Sequence, residues 1–119
     1  ALSSAASDVY KRQISINDCA CGAGATLIAG VRAAAKQIHK AGLNWQNHIL
    51  VTAQDVDYTV AYMCYIQLSL LGVAGYIKVG NSLTEPMRSD DSLENYWFTP
   101  MYCSDVWTIR RLLKGGTLL

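Results

Sequence analysis

The sequence predicts an α/β domain in which a partial parallel sheet is flanked by helices. Short apolar runs of strand length alternate with two longer segments of helical length, in the order strand, helix, strand, helix, strand. Consecutive parallel strands need a crossover connection, which is usually a helix, so this order is typical of a parallel sheet. The chain has 119 residues, of which 51% are hydrophobic, and it is therefore large enough to bury the core of one such domain.

The first strand and the first helix are predicted in residues 13–42. Gln13–Asn17 alternates apolar and polar side chains, as a short strand does. In Ala25–Ala41, apolar side chains recur at three- and four-residue steps, which indicates a helix that packs on one face. These side chains are Leu27, Ile28, Val31, Ala34, Ala35 and Ile38. Gly42 follows as a predicted helix C-cap.

The next elements continue the alternation. His48–Ala53 is a nearly continuous apolar run, which is expected for a strand buried on both faces of a parallel sheet. Tyr58–Leu71 is predicted to be a second helix that ends at Gly72, and Tyr76–Val79 a third strand. After a polar loop and an aromatic stretch, Ser104–Lys114 is predicted to form a final helix.

The first residues are expected to be foreign to the domain. The segment Ser3–Gln13, "SSAASDVYKRQ", has neither a helical nor a strand period. It resembles the in-frame translation of a transposase-type sequencing adapter, so residues 1–13 are predicted to be a non-native leader. The alternative is a natural N-terminal helix with a cap at Ser7 and Asp8. With the adapter interpretation, native sequence begins near Ile14 and whatever preceded the first strand is missing.

Composition and charge exclude several classes of function. The formal net charge is +1, so the chain lacks the strongly basic character that nucleic-acid binding by itself would leave. No apolar run is long enough to span a membrane. The cysteines have no paired C-x-x-C spacing and no histidine at ligand distance, so no metal site is predicted. Apolar or helical surroundings favour buried, reduced thiols and a cytoplasmic location; the cysteines are Cys19, Cys21, Cys64 and Cys103.

The turn between the first strand and the first helix, "DCACGAG", is a candidate binding site. Gly22 and Gly24 allow the backbone to turn tightly and to approach a ligand closely, and the helix that follows begins with unpaired N–H groups. In open α/β sheets, ligands bind beyond the carboxyl ends of the strands, which is where this turn lies. Ordinary tight turns carry the same two glycines, so the turn needs support from other residues.

Polar residues at three consecutive strand ends provide that support. Asp18 ends the first strand, Asp55 follows the second and Asn81 follows the third. We expect them to converge on one crevice, where Asp55 can bind ribose hydroxyls and Asn81 can contact an adenine edge. The alternative is that Asp18 and Asp55 are only helix N-caps.

The spacing of the turn favours a cofactor without a pyrophosphate. In the dinucleotide fingerprint, a third glycine follows the second by three residues and a ribose-binding acid lies about 20 residues further on. Here Leu27 occupies the position of the third glycine, and Asp55 is considerably more distant. S-adenosylmethionine fits the turn better, because its methionine part can pack against the glycine backbone.

Three segments of the chain are similar to known cofactor motifs. "NDCACGAGATL" is similar to D-P-x-C-G-[ST]-G-x-x-L, and "VGNSL" is similar to G-D-[ST]-L. Between them, "AQDVDYTVAYMCYIQLSLLG" is similar to the motif that follows the first one. Together, the three segments resemble N-6 adenine-specific DNA methyltransferases of the modification-subunit type, including phage- and mobile-element-encoded proteins. The resemblance covers Ile14–Tyr102. It implies a Rossmann-like methyltransferase fold, with residues 14–119 forming a partial cofactor-binding domain.

The resemblance also implies S-adenosyl-L-methionine as the cofactor. Asp18 would bind its methionine amino end above a glycine floor, and Asp55 would hold the ribose hydroxyls. Val56 would pack on the adenine ring, while Asn81, where the family has Asp, would accept from the adenine amino group. Cys19 stands where the motif has proline. The implied cofactor-binding residues are Asp18, Cys19, Gly22, Gly24, Asp55, Val56 and Asn81.

The catalytic motif of that family, N-P-P-[FY], has no counterpart, since no proline of this chain follows an asparagine. "NYWF" keeps the N-x-x-F spacing, which makes Asn95 and Phe98 the candidate catalytic pair; the alternative is a packed aromatic edge or a partner surface. Arg110, Arg111 and Lys114 on the last helix can contact phosphate or form a solvated helix face.

The leading functional hypothesis is adenine-specific DNA methylation of the restriction-modification kind, with this fragment supplying the cofactor half. Its partners would be DNA, which it would contact through segments largely absent here, and a possible partner subunit. Its location would be the cytoplasm of a bacterial or phage-infected cell and not a membrane. The second hypothesis is a non-catalytic S-adenosylmethionine-binding or regulatory subunit. The third is a dinucleotide-dependent oxidoreductase.

Overall fold

A computed structural model describes residues 13–119 of the chain, so the predicted leader lies outside the described residues except for Gln13. Four strands form one sheet: β1 is Ile14–Asp18, β2 is Ile49–Asp55, β3 is Ala74–Val79 and β4 is Tyr96–Phe98. They lie side by side in chain order, with β1, β2 and β3 parallel and β4 antiparallel to β3. The predicted parallel arrangement of the first three strands is confirmed.

Helices cover both faces of this sheet. α1 (Ala25–Lys40) and α2 (Tyr58–Leu70) pack on one face, and α3 (Asp105–Leu113) packs on the other. Short 3-10 turns lie at Trp45–Asn47, Leu93–Asn95 and Pro100–Cys103. The chain therefore forms a small mixed α/β domain with a mostly parallel sheet. In the part of the chain that the structure describes, no helix is long and apolar enough to cross a bilayer.

The sheet face beneath α1 and α2 holds the first of two hydrophobic clusters. Val51 and Ile77 from the sheet meet Leu27 and Leu68 from the two helices, and each of these side chains is at most 1% exposed. Burying a side chain of this size stabilises a fold by roughly 1.5–3 kcal/mol. This burial fixes α1 and α2 on the sheet and so fixes the turns that precede them.

The opposite sheet face packs against α3 through aromatic and cationic side chains. Trp107 is 1% exposed, and its indole N–H donates to the Gln46 carbonyl at 2.9 Å. The Arg110 guanidinium is buried, lies 5.1 Å from the centre of the Trp107 ring and contacts a ring nitrogen of His48 at 3.1 Å. The expectation of a solvated helix face is therefore wrong for Arg110, because its charge is held inside the fold.

α1 and α2 each end one residue earlier than predicted, and a glycine follows the C-cap residue of each helix. Gly42 and Gly72 have φ angles of +77° and +74°, a region that glycine adopts without the steric cost of a Cβ atom. After α1, the Gly42 N–H donates to the His39 carbonyl and the Leu43 N–H to the Ile38 carbonyl. These bonds satisfy carbonyls at the end of the helix. The C-cap residue is Ala41, one residue before the predicted position, and Gly42 directly follows it.

The sheet extends further than the sequence pattern predicts. β2 continues through Gln54, which is buried because its side-chain amide donates to the Glu85 carbonyl at 2.8 Å. The aromatic stretch forms β4, followed by Thr99, whose hydroxyl accepts from the Gly75 N–H at 3.0 Å and donates to the Val73 carbonyl at 2.7 Å. Both features depend on distant partners, which a local apolar pattern does not reveal.

An ion pair between buried Lys78 and partly exposed Asp91 holds the loop that follows β3. Lys78 is 6% exposed, and its ammonium donates to Asp91 Oδ2 at 2.7 Å and to the Pro86 carbonyl at 3.3 Å. The Tyr96 hydroxyl donates to the same Asp91 oxygen at 2.5 Å. The hydrogen bonds from Lys78 and Tyr96 lower the pKa of Asp91 to about 2. These interactions of Asp91 with Lys78 and Tyr96, which we call the Asp91 anchor, hold the loop against the sheet.

This anchor is expected to make the stability of the domain sensitive to acid. The folded-state pKa of Asp91, about 2, lies below the unfolded value of about 3.9. The contribution is therefore present above pH ~4 and is lost as the pH falls toward ~2. Urea unfolding across this range should show a shallower loss of stability for Asp91→Asn than for the wild type. Asp90→Asn removes a neighbouring exposed charge and controls for net charge; equal slopes for Asp91→Asn and the wild type would contradict the prediction.

Candidate functional site

The carboxyl ends of β1, β2 and β3 bring the predicted polar residues to one edge of the sheet. The strand register pairs Asp18 with Ala53 and Asp55 with Val79, and Asn81 follows two residues after Val79. Neighbouring strands lie about 4.8 Å apart, so the backbones of β1 and β3 are separated by about 10 Å at this edge. The three residues therefore follow neighbouring strands at the same edge of the sheet, and their convergence on one crevice stays a prediction.

Asp55 connects the end of β2 to the glycine turn after β1. Its Oδ2 accepts from the Gly22 N–H at 2.9 Å, and its Oδ1 accepts from the Asp57 N–H at 2.9 Å. The carboxylate therefore holds two chain segments together while remaining partly exposed. Each carboxylate oxygen keeps a further lone pair for an outside donor.

The alternative in which the two acids are helix N-caps is wrong. α2 is capped by Asp57, whose Oδ1 accepts from the Thr59 N–H at 2.8 Å. α1 has Gly24 at its N-cap position and no side-chain cap. Asp18 instead accepts from the Ala20 N–H at 3.0 Å, within the turn itself. Asp18 and Asp55 thus shape the turn region, and neither starts a helix.

The two glycines of the turn have different surroundings. Gly22 has a φ of +52°, and a Cβ atom placed on it would meet no atom within 4 Å. Gly24 has a φ of +95°, and a Cβ atom there would lie 2.8 Å from the Sγ atom of Cys64 in α2. Gly24 therefore permits close packing of the turn against α2, whereas Gly22 leaves open space in front of the backbone.

Two thiols are buried at the turn, Cys21 within it and Cys64 in α2. Cys21 and Cys64 are 6% and 0% exposed. The hydrogen bond to Cys64, burial, and the charges of Asp55 and Asp18 all raise the pKa of Cys21. This thiol stays protonated at neutral pH and is not an activated nucleophile.

All four cysteines of the chain are free, but only part of the prediction for them holds. Cys19 and Cys103 are exposed, so the expectation of buried thiols is wrong for these two. Cys19 lies in the glycine turn, where the sequence predicted a contact with the cofactor. In the described residues, no group of three His, Cys, Asp or Glu side chains is placed to hold a metal ion.

Val56 and Asn81 complete the edge. Val56 directly follows β2 and is 71% exposed, which leaves its apolar surface available to a ligand. The Asn81 side-chain oxygen accepts from the Leu83 N–H at 2.9 Å and closes a turn. That oxygen retains a second lone pair, and the amide NH₂ adds two donors.

Asn95 and Phe98 lie in different surroundings. Asn95 is exposed and lines a polar cavity of about 420 Å³, together with Lys78 and residues of the loop after β3. Phe98 is half-buried, and its ring stacks on Tyr102 with centres 5.7 Å apart and packs against Tyr76 at 5.6 Å. Phe98 thus belongs to the packed aromatic edge that was the predicted alternative.

Sequence reasoning missed two side chains that support the edge. Gln67 in α2 donates from its Nε2 to the Ala23 carbonyl in the glycine turn at 2.7 Å. Gln54 performs the same function for the loop after β3 through its bond to the Glu85 carbonyl. A polar residue inside an otherwise apolar segment is the one signal that could have indicated them.

The edge therefore combines two carboxylates, an amide, an exposed apolar side chain and an open stretch of glycine backbone. Carboxylates in this position can accept from hydroxyl or ammonium groups, and the amide can both donate and accept. Comparison of the chain with protein-family models, with curated proteins and with solved structures gives no match.

Proposed function

We propose that this edge binds S-adenosyl-L-methionine and that the chain is the cofactor-binding part of an adenine-specific DNA methyltransferase with a Rossmann-like fold. The observation that carries the proposal is the position of Asp55. Its carboxylate ends β2, holds the glycine turn through the Gly22 N–H at 2.9 Å and keeps free lone pairs at the edge of the sheet. An acid in this position is suited to a ribose diol.

The surrounding groups match the other parts of the cofactor. The Asp18 carboxylate can pair with the ammonium group of the methionine part. The open space in front of Gly22 lets that part approach the backbone. Val56 is 71% exposed and can pack against the adenine ring, and the Asn81 amide oxygen can accept from the adenine amino group.

The turn supports this cofactor over a dinucleotide. Leu27, in the position of the third glycine of the dinucleotide fingerprint, is 1% exposed and belongs to the core under α1. The close contact of Gly24 with Cys64 also shows that the second glycine serves packing. S-adenosylmethionine has no pyrophosphate and does not require either glycine for phosphate contact.

Methyl transfer to DNA forms the second part of the proposal. When bound, S-adenosylmethionine supplies an activated methyl group, and this chain would hold it in a fixed orientation toward the adenine nitrogen. Orientation of two reactants is a large source of rate acceleration and needs no metal. DNA and any partner subunit would contact segments beyond those described.

A non-catalytic S-adenosylmethionine-binding or regulatory subunit is the second candidate. The packing of Phe98 against Tyr76 and Tyr102 favours it, because a ring held in this cluster is not free to stack on a flipped base. The exposed Asn95 then lacks the aromatic partner of the family motif. Transfer of labelled methyl to unmethylated DNA separates the two candidates, since only the enzyme gives labelled DNA.

Calorimetric titration tests the cofactor itself. The chain is expected to bind S-adenosylmethionine and not NAD. Gly22→Asn should weaken binding at least about tenfold because the new side chain fills the open space in front of the turn. Asparagine tolerates the left-handed backbone that Gly22 adopts, so the stability of the fold should change little.

Lys114→Gln, at the other end of the chain, is the control for the titration and should bind like the wild type. Absence of S-adenosylmethionine binding by the wild-type chain would overturn the proposal. Unchanged affinity in a folded Gly22→Asn variant would show that the cofactor does not approach the turn.

A further inference from the structure

A groove is lined by α1, by the connection from α1 to β2 and by the residue that follows α2. It has a volume of about 580 Å³. Apolar side chains form its floor: Ile28 and Ala35 from α1, Trp45 from the connection to β2, and Leu71 from the end of α2. The groove extends along α1 from Ile28 to Lys40, whereas the glycine turn precedes the first residue of that helix.

One rim of the groove is basic. Arg32, Lys36, His39 and Lys40 all line it, and all four side chains are exposed. Lys36 follows Arg32 by four residues, and His39 and Lys40 follow Lys36 by three and four residues. Residues at these steps lie on the same side of a helix, so the four side chains share one side of α1. α1 contains no acidic residue that could neutralise them.

The surface next to the groove is apolar. Met63, Ile66 and Leu70 recur at three- and four-residue steps on α2 and are 48%, 52% and 84% exposed. Leu71, which lines the groove, is 40% exposed directly after them. α2 has no charged residue along its whole length. Exposed apolar side chains that adjoin one another on a helix mark an interaction surface more often than an ordinary solvated face.

We propose that this basic-rimmed groove, with the apolar stripe beside it, binds an amphipathic helix of another protein whose apolar face is flanked by acidic residues. An amphipathic helix places apolar side chains at the same three- and four-residue steps, and these fit a concave apolar groove. Carboxylates along its flank would pair with the cationic side chains of the rim, which are Arg32, Lys36 and Lys40. The charge of the rim thus specifies the chemistry of the partner.

Other occupants match the surface less well. A second copy of this chain would bring the same uncharged stripe and the same basic rim, and so would place like charges together in a two-fold contact. A flat anionic membrane would contact Leu70 and the rim but would leave the groove floor unfilled. Nucleic acid would pair with the cations but would gain nothing from the apolar stripe.

A synthetic peptide pair tests the proposal. One labelled helical peptide carries leucines on one face and glutamates on its flanks, and the matched peptide carries lysines in place of the glutamates. Fluorescence anisotropy with the full chain should give at least about tenfold tighter binding for the glutamate peptide. Nuclear magnetic resonance of the wild-type chain should place the largest shift changes at Arg32, Trp45 and Leu71.

Charge reversal in the rim gives the second measurement. Lys36→Glu should weaken binding of the glutamate peptide about tenfold. The difference in affinity between the glutamate peptide and the lysine peptide should therefore be smaller for this variant than for the wild type. Arg88→Glu makes the same charge change on an exposed side chain outside the groove and should leave the affinity unchanged. Circular dichroism of both variants checks that they are folded.

Three results would overturn the inference. They are equal affinity for the two peptides, loss of affinity in Arg88→Glu equal to that in Lys36→Glu, or shift changes located away from the groove. Sedimentation of the free chain as a dimer that Leu70→Ser dissociates would assign the surface to a second copy instead. Binding to anionic vesicles that Lys36→Glu abolishes, without binding of either peptide, would assign it to a lipid surface.

Discussion

Replacing Gly24 with alanine is expected to destabilise the domain by about 3 kcal/mol. The left-handed backbone at this position costs an ordinary residue roughly 1–2 kcal/mol. The new methyl group would also lie 2.8 Å from the Cys64 Sγ atom, and forcing extra volume into a packed interior costs roughly 1–3 kcal/mol. Urea unfolding of Gly24→Ala against the wild type measures the sum.

A double-mutant cycle isolates the steric part of this effect. Cys64→Ala removes the sulfur atom that the new methyl group would strike, at the cost of a small cavity. The Gly24→Ala/Cys64→Ala variant should therefore be more stable than the sum of the two single changes predicts. Additive effects would contradict the close contact between the turn and α2 and would leave only the backbone strain.

Replacing Asp55 with alanine is expected to weaken S-adenosylmethionine binding about thirtyfold or more. Hydrogen bonds to a charged group contribute roughly 1.5–3 kcal/mol, and a ribose diol would lose its acceptor. The change also removes the hydrogen bond that the Gly22 N–H donates to the Asp55 carboxylate at 2.9 Å. The turn would then no longer be held in place. Calorimetric titration of the variant measures the loss.

Asp57→Ala is the matched control for this experiment. Asp57 lies two residues further along and caps α2 through the Thr59 N–H, so its loss should cost about 1 kcal/mol of stability. Cofactor binding should survive that loss because the Asp57 side chain does not hold the turn. Equal losses of affinity in both variants would mean that Asp55 acts only through general stability.

The parts of the fold that follow local patterns could be predicted from the sequence. Leu27, Val31 and Ile38 recur at helical steps, and all three are buried under α1. Gly42 ends that helix because only a residue without a Cβ atom turns there at little cost. The order of strands and helices then determined that Asp18 and Asp55 would meet at one edge.

The rest depends on contacts between distant residues. The three residues of β4 become a strand only because Lys78 and its neighbours pair with them. Arg110 is buried because Trp107 and His48 surround its charge, which its position on an amphipathic helix does not reveal. The different surroundings of Gly22 and Gly24 depend on Cys64, more than one secondary-structure element away.

The two hydrogen bonds of Asp55 have a consequence for the dynamics of the edge. Its carboxylate is held by the Gly22 and Asp57 N–H groups before any ligand arrives. The freedom of this side chain is therefore lost during folding, and a ligand is spared an ordering cost of about 0.5–1.5 kcal/mol. Hydrogen exchange at the Gly22 amide reports how often the turn opens, and so what fraction of molecules is ready to bind at a given moment.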